Sequence, residues 1–196
     1  MGRVRVGVPR RSTARVPTGD ERPPPRRYPH AYARAGPRLR MLQVGDQAPD
    51  FALPSTAGGD VGLADELRTG PVVVLTNRGY WCSYCAEQLQ TYSAHAYDLW
   101  RHLDTDVLPI VGDPVPELVE MRDRFDLGIQ LLSDADLEVV PEYAGTEHTE
   151  RFGEIPVAGT FVVDGDGVVR YAHVAENPAD RTYANIRLSK SWVITL

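Results

Sequence analysis

From residue 41 onward, short apolar runs alternate with amphipathic stretches, and each pattern predicts an element. The run PVVVLTN, Pro71 to Asn77, is continuous and rich in valine, as expected of a strand buried on both faces. From about Cys82 to Leu103 there is no Pro or Gly, and Leu89, Ala96, Leu99 and Leu103 recur at helical spacing, which predicts a long helix. DVLPIVGD, Asp106 to Asp113, reads as a second strand. VPELVEMRDRF then reads as a helix, with Pro116 near its first turn and Leu118, Met121 and Phe125 on one side. GIQLLSD is a brief third strand. Ala158 to Ala175 reads as two strands joined at Asp164-Gly165-Asp166-Gly167, and NPADRTYANIRL as a short closing helix starting at Asn177 or Pro178. Strands that alternate with helices and then finish as a hairpin predict an α/β sandwich with a mixed sheet.

Charge divides the chain in two. Residues 1–40 hold eleven Arg against Asp20 and Glu21, while residues 41–196 are strongly acidic and contain Lys190 as their lone lysine. The basic piece is dense in Pro, Arg and Gly, has no period and offers few large apolar residues to bury. It is expected to be a disordered extension, or an artefact of start-site choice with translation beginning at Met41. Residues 41–196 form the expected single domain. Their acidity suits a cytoplasm at high salt, where self-repulsion is screened, and argues against nucleic acid or an anionic membrane as partner. The expected location is the cytoplasm, because residues 1–40 lack the apolar stretch of a secretory signal.

The candidate chemistry sits in TNRGYWCSYCAEQLQTY, Thr76 to Tyr92, which holds Cys82 and Cys85, the two cysteines of the chain. Between a buried strand and a helix, both sulfurs fall in the first helical turn, where unpaired N–H groups and the helix dipole favour a thiolate. The thiolate is the nucleophile, and such positions lower a thiol pKa from about 8.5 to between roughly 3.5 and 7.5. Two intervening residues also allow a disulfide to close, so the pair can cycle between dithiol and disulfide. A structural zinc site needs four ligands, and one knuckle with His95 and His102 two or more turns away does not supply them. Two inert buried thiols remain the bland alternative. The reading calls for no metal and no cofactor. DGDG lacks the Glu that a calcium loop needs at its twelfth position, which here is Ala175, so it is a turn.

Taken together, GDQAPDFALPSTAGGDVGL, VVVLTNRGYWCSYCAEQL and GTFVVDGDGVVRYAHV resemble the thioredoxin-like superfamily, and more narrowly its peroxiredoxin-like branch, the alkyl hydroperoxide reductase and thiol-specific antioxidant family. The resemblance covers nearly all of residues 43–188 and implies a thioredoxin-like three-layer α/β/α sandwich with a mixed central sheet. It implies a thiol-dependent antioxidant enzyme that reduces peroxides through a Cys82/Cys85 cycle. The segment RGYWCSYC looks like the subgroup reading Arg-Gly-x-Trp-Cys-Pro-Tyr-Cys, with Ser83 in place of Pro.

Two alignments assign the cysteines opposite roles. Peroxiredoxins place Cys85 at the peroxide-reactive position and Cys82 as its resolving partner, which is the assignment adopted here. Thioredoxins make Cys82 the attacking thiol, and that alternative is a protein-disulfide reductase. A non-catalytic thioredoxin-fold module is the third reading. Peroxiredoxins carry an Arg two residues before the Thr of TFVVD, where this chain has Ala158. Arg78 is expected to supply positive charge to the thiolate, with Gly79, Trp81, Pro156 and Thr160 beside the substrate. Pro156 stands near the place of a cis-proline in thioredoxins. The partners implied are a peroxide or disulfide substrate and an external dithiol reductant such as a thioredoxin-like protein, and a homodimer is compatible with the sequence.

Overall fold

A computed structural model describes residues 41–184. Residues 1–40, the outer part of the closing helix and the final SKSWVITL lie outside the described residues, so the expectations placed on them are not addressed.

The centre of the fold is β3 (Val72–Asn77), whose six residues are all buried. It pairs in parallel with β4 (Asp106–Val111) and antiparallel with β8 (Gly159–Val163), which explains why its sequence is apolar without alternation. The edges are β5 (Leu132–Ser133), parallel to β4, and β9 (Val169–Val174), antiparallel to β8, giving the order β5-β4-β3-β8-β9. The mixed sheet expected from the sequence is therefore present, as are its two-strand finish and the turn at Asp164. That carboxylate accepts the N–H groups of Asp166 and Val168, and Gly167 takes φ +78°.

Successive β3 side chains face opposite layers. Val73 and Leu75 join Leu89, Tyr92 and Leu99 of α2 (Ser83–Leu103) and Leu118 and Met121 of α3 (Val115–Arg124). Val72 and Val74 pack instead with Leu63 of α1 (Leu63–Glu66), Val140 and Tyr143 of α4 (Val140–Tyr143), and Leu53 of β1 (Ala52–Pro54). The sandwich is thus asymmetric, with two full helices on one face and single helical turns and extended chain on the other. β1 and β2 (Asp60–Gly62) form a small hairpin through Gly58 and Gly59, both at positive φ. No helix among the described residues is long and apolar enough to cross a membrane.

Two features depart from the sequence reading. β6 (Thr146–Thr149) and β7 (Gly153–Pro156) form a separate antiparallel hairpin that the sequence pattern does not announce. The closing helix is absent as far as Ala184: residues 177–184 are turns and irregular chain. Asn177 Oδ1 accepts the Ala179 N–H, and Asp180 accepts the Glu176 N–H and pairs with His173. These side-chain bonds satisfy local N–H groups and compete with a helical turn. The chain then runs against α2, where Gln88 donates to the Thr182 carbonyl and the Ala184 N–H donates to Thr91.

Candidate active site

Cys82 caps α2 instead of lying within it. Its backbone is extended (φ −82°, ψ 108°), and its Sγ accepts the Cys85 N–H at 3.3 Å. This is the role a Ser or Asp usually fills, and it places sulfur where the helix terminus favours negative charge. One turn on, Cys85 is fully buried and its thiol donates to Cys82 Sγ at 2.6 Å. Both cysteines are free thiols.

The two sulfurs are unequal. The hydrogen bond from Cys85, aided by the helix N–H and by Arg181, brings the Cys82 thiol down to about 6 against the desolvating effect of burial. Burial first, and then the same Cys82–Cys85 hydrogen bond, push the Cys85 thiol well above the ordinary range, although the Arg181 charge and the Arg78 backbone N–H oppose this. A single proton shared by two sulfurs thus resides on Cys85, leaving Cys82 as the thiolate.

Arg181 is the cation at the site. Its Nη2 lies 4.0 Å from Cys82 Sγ and 3.7 Å from Cys85 Sγ, while Nη1 is held by the Asp180 carbonyl. Sequence reasoning missed it, because the segment carrying it has no fixed spacing from the cysteines and reads as part of a helix. The irregular course of residues 177–184 is what brings it there.

The predicted site residues take varied places. Arg78 donates from Nε and Nη2 to one oxygen of Glu147, both at 2.9 Å, and its guanidinium lies 5.4 Å over the Trp81 ring. The polar partner of its side chain is thus a carboxylate on β6, and its backbone N–H is what reaches the Cys85 sulfur. Trp81 stacks on Phe152 with centroids 3.8 Å apart and planes 4° from parallel. Gly79 leaves room for this ring, since a Cβ there would stand 2.6 Å from Trp81 Nε1 and 3.0 Å from Asp113 Oδ2. That Asp113 oxygen fixes the loop by accepting the Tyr80 N–H at 2.7 Å.

Pro156 is buried at the end of β7, close enough to Gly112 that a Cβ there would meet its ring at 2.7 Å. Its peptide bond is trans, as are all others among the described residues, so the cis geometry considered for it is not present. Thr160 is buried on β8 and accepts from Gln88 Nε2 at 3.3 Å, which ties the central sheet to the helix one turn beyond Cys85. Among the described residues, no group of three or more His, Cys, Asp or Glu is arranged to hold a metal.

A low-pKa thiol capping a helix, a buried partner thiol in contact with it and an arginine near both form an arrangement that can support thiol chemistry. The sequence model of the AhpC/TSA family matches residues 44–172. The chain belongs to the AhpC/TSA family.

Peroxiredoxin Q from the chloroplast of Oryza sativa subsp. japonica is 29% identical over 132 residues, covering 67% of this chain and 59% of that protein. Thiol-disulfide oxidoreductase ResA of Geobacillus thermodenitrificans is 27% identical over 140 residues, covering 71% and 74%. The crystal structure of peroxidoxin BcpB from Mycobacterium tuberculosis superposes with a TM-score of 0.63 at 25% identity, over 71% of this chain and 90% of the other. The fold is therefore that of the thioredoxin-like peroxiredoxins. This AhpC/TSA member is a thiol-dependent oxidoreductase, a peroxidase or a disulfide oxidoreductase.

Proposed function

We propose that the chain reduces peroxides through a Cys82/Cys85 dithiol–disulfide cycle in which Cys82 is the attacking thiolate. The observation that carries this reading is Arg181, whose guanidinium lies against both sulfurs and whose buried Nε–H donates to no described group. A fixed cation at that point stabilises the thiolate, and its charge also favours the oxyanion that leaves when an O–O bond breaks. Register with the family pattern favours Cys85 for the attack. The unequal protonation of the pair supports Cys82 instead, with Cys85 as the proton-bearing resolving thiol.

In this cycle the Cys82 thiolate attacks one peroxide oxygen. The O–O bond breaks, and the departing alkoxide takes a proton from solvent, giving a Cys82 sulfenic acid and an alcohol, or water from hydrogen peroxide. Cys85 sulfur then attacks Cys82 sulfur. Its proton leaves with the displaced hydroxide as water, and the Cys82–Cys85 disulfide forms. An external dithiol, such as a thioredoxin-like protein, restores the pair by exchange and is itself oxidised to a disulfide. Arg78, Gly79 and Trp81 shape the wall beside the sulfurs, and Thr160 steadies α2 through Gln88. Pro156 supports that wall from the base of the β6–β7 hairpin.

A second reading, protein-disulfide reduction with Cys82 attacking, draws support from Ala158, which stands where peroxiredoxins carry an arginine. Stopped-flow oxidation of the reduced chain by hydrogen peroxide decides between them. Rapid thiol loss that survives Cys85→Ser and disappears in Cys82→Ser is expected. The reverse pattern would return the attack to Cys85, and rates no faster than a free thiol in all three proteins would leave the disulfide-reductase reading standing.

A further inference from the structure

The Trp81–Phe152 stack joins two parts of the fold that share no strand pairing. Trp81 precedes Cys82 in the redox loop, whereas Phe152 closes the turn of the β6–β7 hairpin, a two-stranded sheet separate from the central five. The hairpin is fixed at its base by Thr76 Oγ1, which donates to the Val157 carbonyl, by the Val157 N–H on the Gly145 carbonyl, and by the Pro156 ring against Gly112. Towards its tip it is held by side chains. Glu147 accepts from Arg78, Phe152 lies flat on Trp81, and the Arg151 guanidinium stands 5.0 Å from the centroid of the Phe152 ring. Arg78 and Phe152 thus both lie against the Trp81 ring, and Arg151 against the Phe152 ring. Aromatic faces and guanidinium planes attract one another in this arrangement.

The Trp81–Phe152 stack covers one face of the ring beside Cys82, a surface that a macromolecular disulfide would need. For a thiol in a loop to attack a disulfide in another protein, a flat apolar surface beside the sulfur has to be free to receive that chain. Here the face of Trp81 is occupied from within, and Cys82 is 4% exposed.

We propose that in the reduced chain, the state in which both thiols are free, the β6–β7 hairpin, through Phe152 on Trp81, is the element that restricts attack by Cys82 to small hydroperoxides and excludes bulky hydroperoxides and protein disulfides. The proposal rests on the peroxidase reading and names the substrate class of that same site. Phe152 acts on selectivity through Trp81 and touches neither sulfur among the described contacts.

The test compares full-length wild type with Phe152→Ala, using hydrogen peroxide, cumene hydroperoxide and insulin disulfide as substrates, together with labelling of Cys82 by iodoacetamide and by a polyethylene-glycol maleimide. Phe152→Ala is expected to raise the rates with cumene hydroperoxide, insulin and the large maleimide by about tenfold, while those with hydrogen peroxide and iodoacetamide stay within about twofold. Unchanged ratios of large to small reagents would overturn the proposal, and so would a wild type that already accepts both sizes equally. Should Phe152→Ala lose the near-ultraviolet dichroism of the folded chain, Phe152→Leu, which keeps an apolar side chain but no flat ring, is read by the same ratios. The labelling arm needs no peroxide chemistry. A wild type that ignores hydrogen peroxide therefore sinks the peroxidase reading, while the labelling ratio still decides whether the hairpin is a cover.

Discussion

Arg181 Nη2 lies 3.7 Å from Cys85 Sγ, although 96 residues separate them in the chain. The same nitrogen is 4.0 Å from Cys82 Sγ, so one side chain faces whichever sulfur carries the charge. Arg181→Met is expected to raise the Cys82 pKa by about one unit, and to slow its alkylation near neutral pH accordingly. Arg181→Lys should restore part of the effect, since charge returns without the planar fork. The pH dependence of iodoacetamide labelling measures both, and an unshifted midpoint in the methionine variant would remove Arg181 from the account.

The inequality of the thiols gives the stability of the reduced protein a signed pH dependence. Cys82 is held near 6 in the folded chain, below the ordinary value of about 8.5, so between those values the unfolded chain binds the extra proton. Stability from this group is present in full above the unfolded value and is lost as pH falls through about 6. Cys85 works oppositely, because its raised pKa favours the folded state at lower pH and is a growing liability above the ordinary thiol range. Urea midpoints of the reduced chain should therefore rise from pH 6 to a maximum near the ordinary thiol value. Cys82→Ser should flatten the rising limb.

Cys85→Ala tests the hydrogen bond between the sulfurs. It removes the S–H donor that contributes most to lowering Cys82, so the labelling midpoint of Cys82 should move up. Cys85→Ser keeps a hydroxyl donor and should move it less. Equal midpoints in the two variants would mean that the donor is not what sets the Cys82 acidity.

Asp134 gives a structural prediction. Its carboxylate is 2% exposed and accepts the N–H groups of Glu138, Val139 and Val140, fixing the entry to α4. Asp134→Ala leaves three N–H groups to find other partners and is expected to cost about 3 kcal/mol. A loss below about 1 kcal/mol by urea unfolding would show that water replaces the carboxylate freely.

Gly79→Ala places a methyl 2.6 Å from Trp81 Nε1. The ring or the loop has to move, at an expected cost of about 1–3 kcal/mol, and the emission of Trp81 should shift as it leaves Phe152. An unshifted spectrum with unchanged stability would contradict the close fit described at this loop.

The elements with a strong period were legible in the sequence. β3 is continuous and apolar because sheet covers its edges and helical or extended chain both its faces, and α2 repeats apolar residues because one stripe meets the sheet. The cysteine pair was legible too, since strand, loop and helix are consecutive and fix its place. What was not legible depends on distant contacts. The β6–β7 hairpin has only four residues per strand, and much of its surface is exposed, so no alternation marks it. Arg181 lies in a stretch whose proline and acidic first turn imitate a helix start, while the bonds of Asn177 and Asp180 hold it as turns. Arg78 was read as the cation of the site because it is near in sequence, yet its charge is matched by Glu147 across 69 positions.

The chain segment carrying Arg181 belongs to no strand or helix and lies beyond the residues that match the family model. Cys82 and Cys85 therefore stand on the strand–loop–helix unit at the centre of the fold, whereas the guanidinium that lowers the Cys82 pKa is mounted on irregular chain held to α2 by a few hydrogen bonds. A substitution at Arg181 would change the charge facing the two sulfurs without altering a strand of the central sheet.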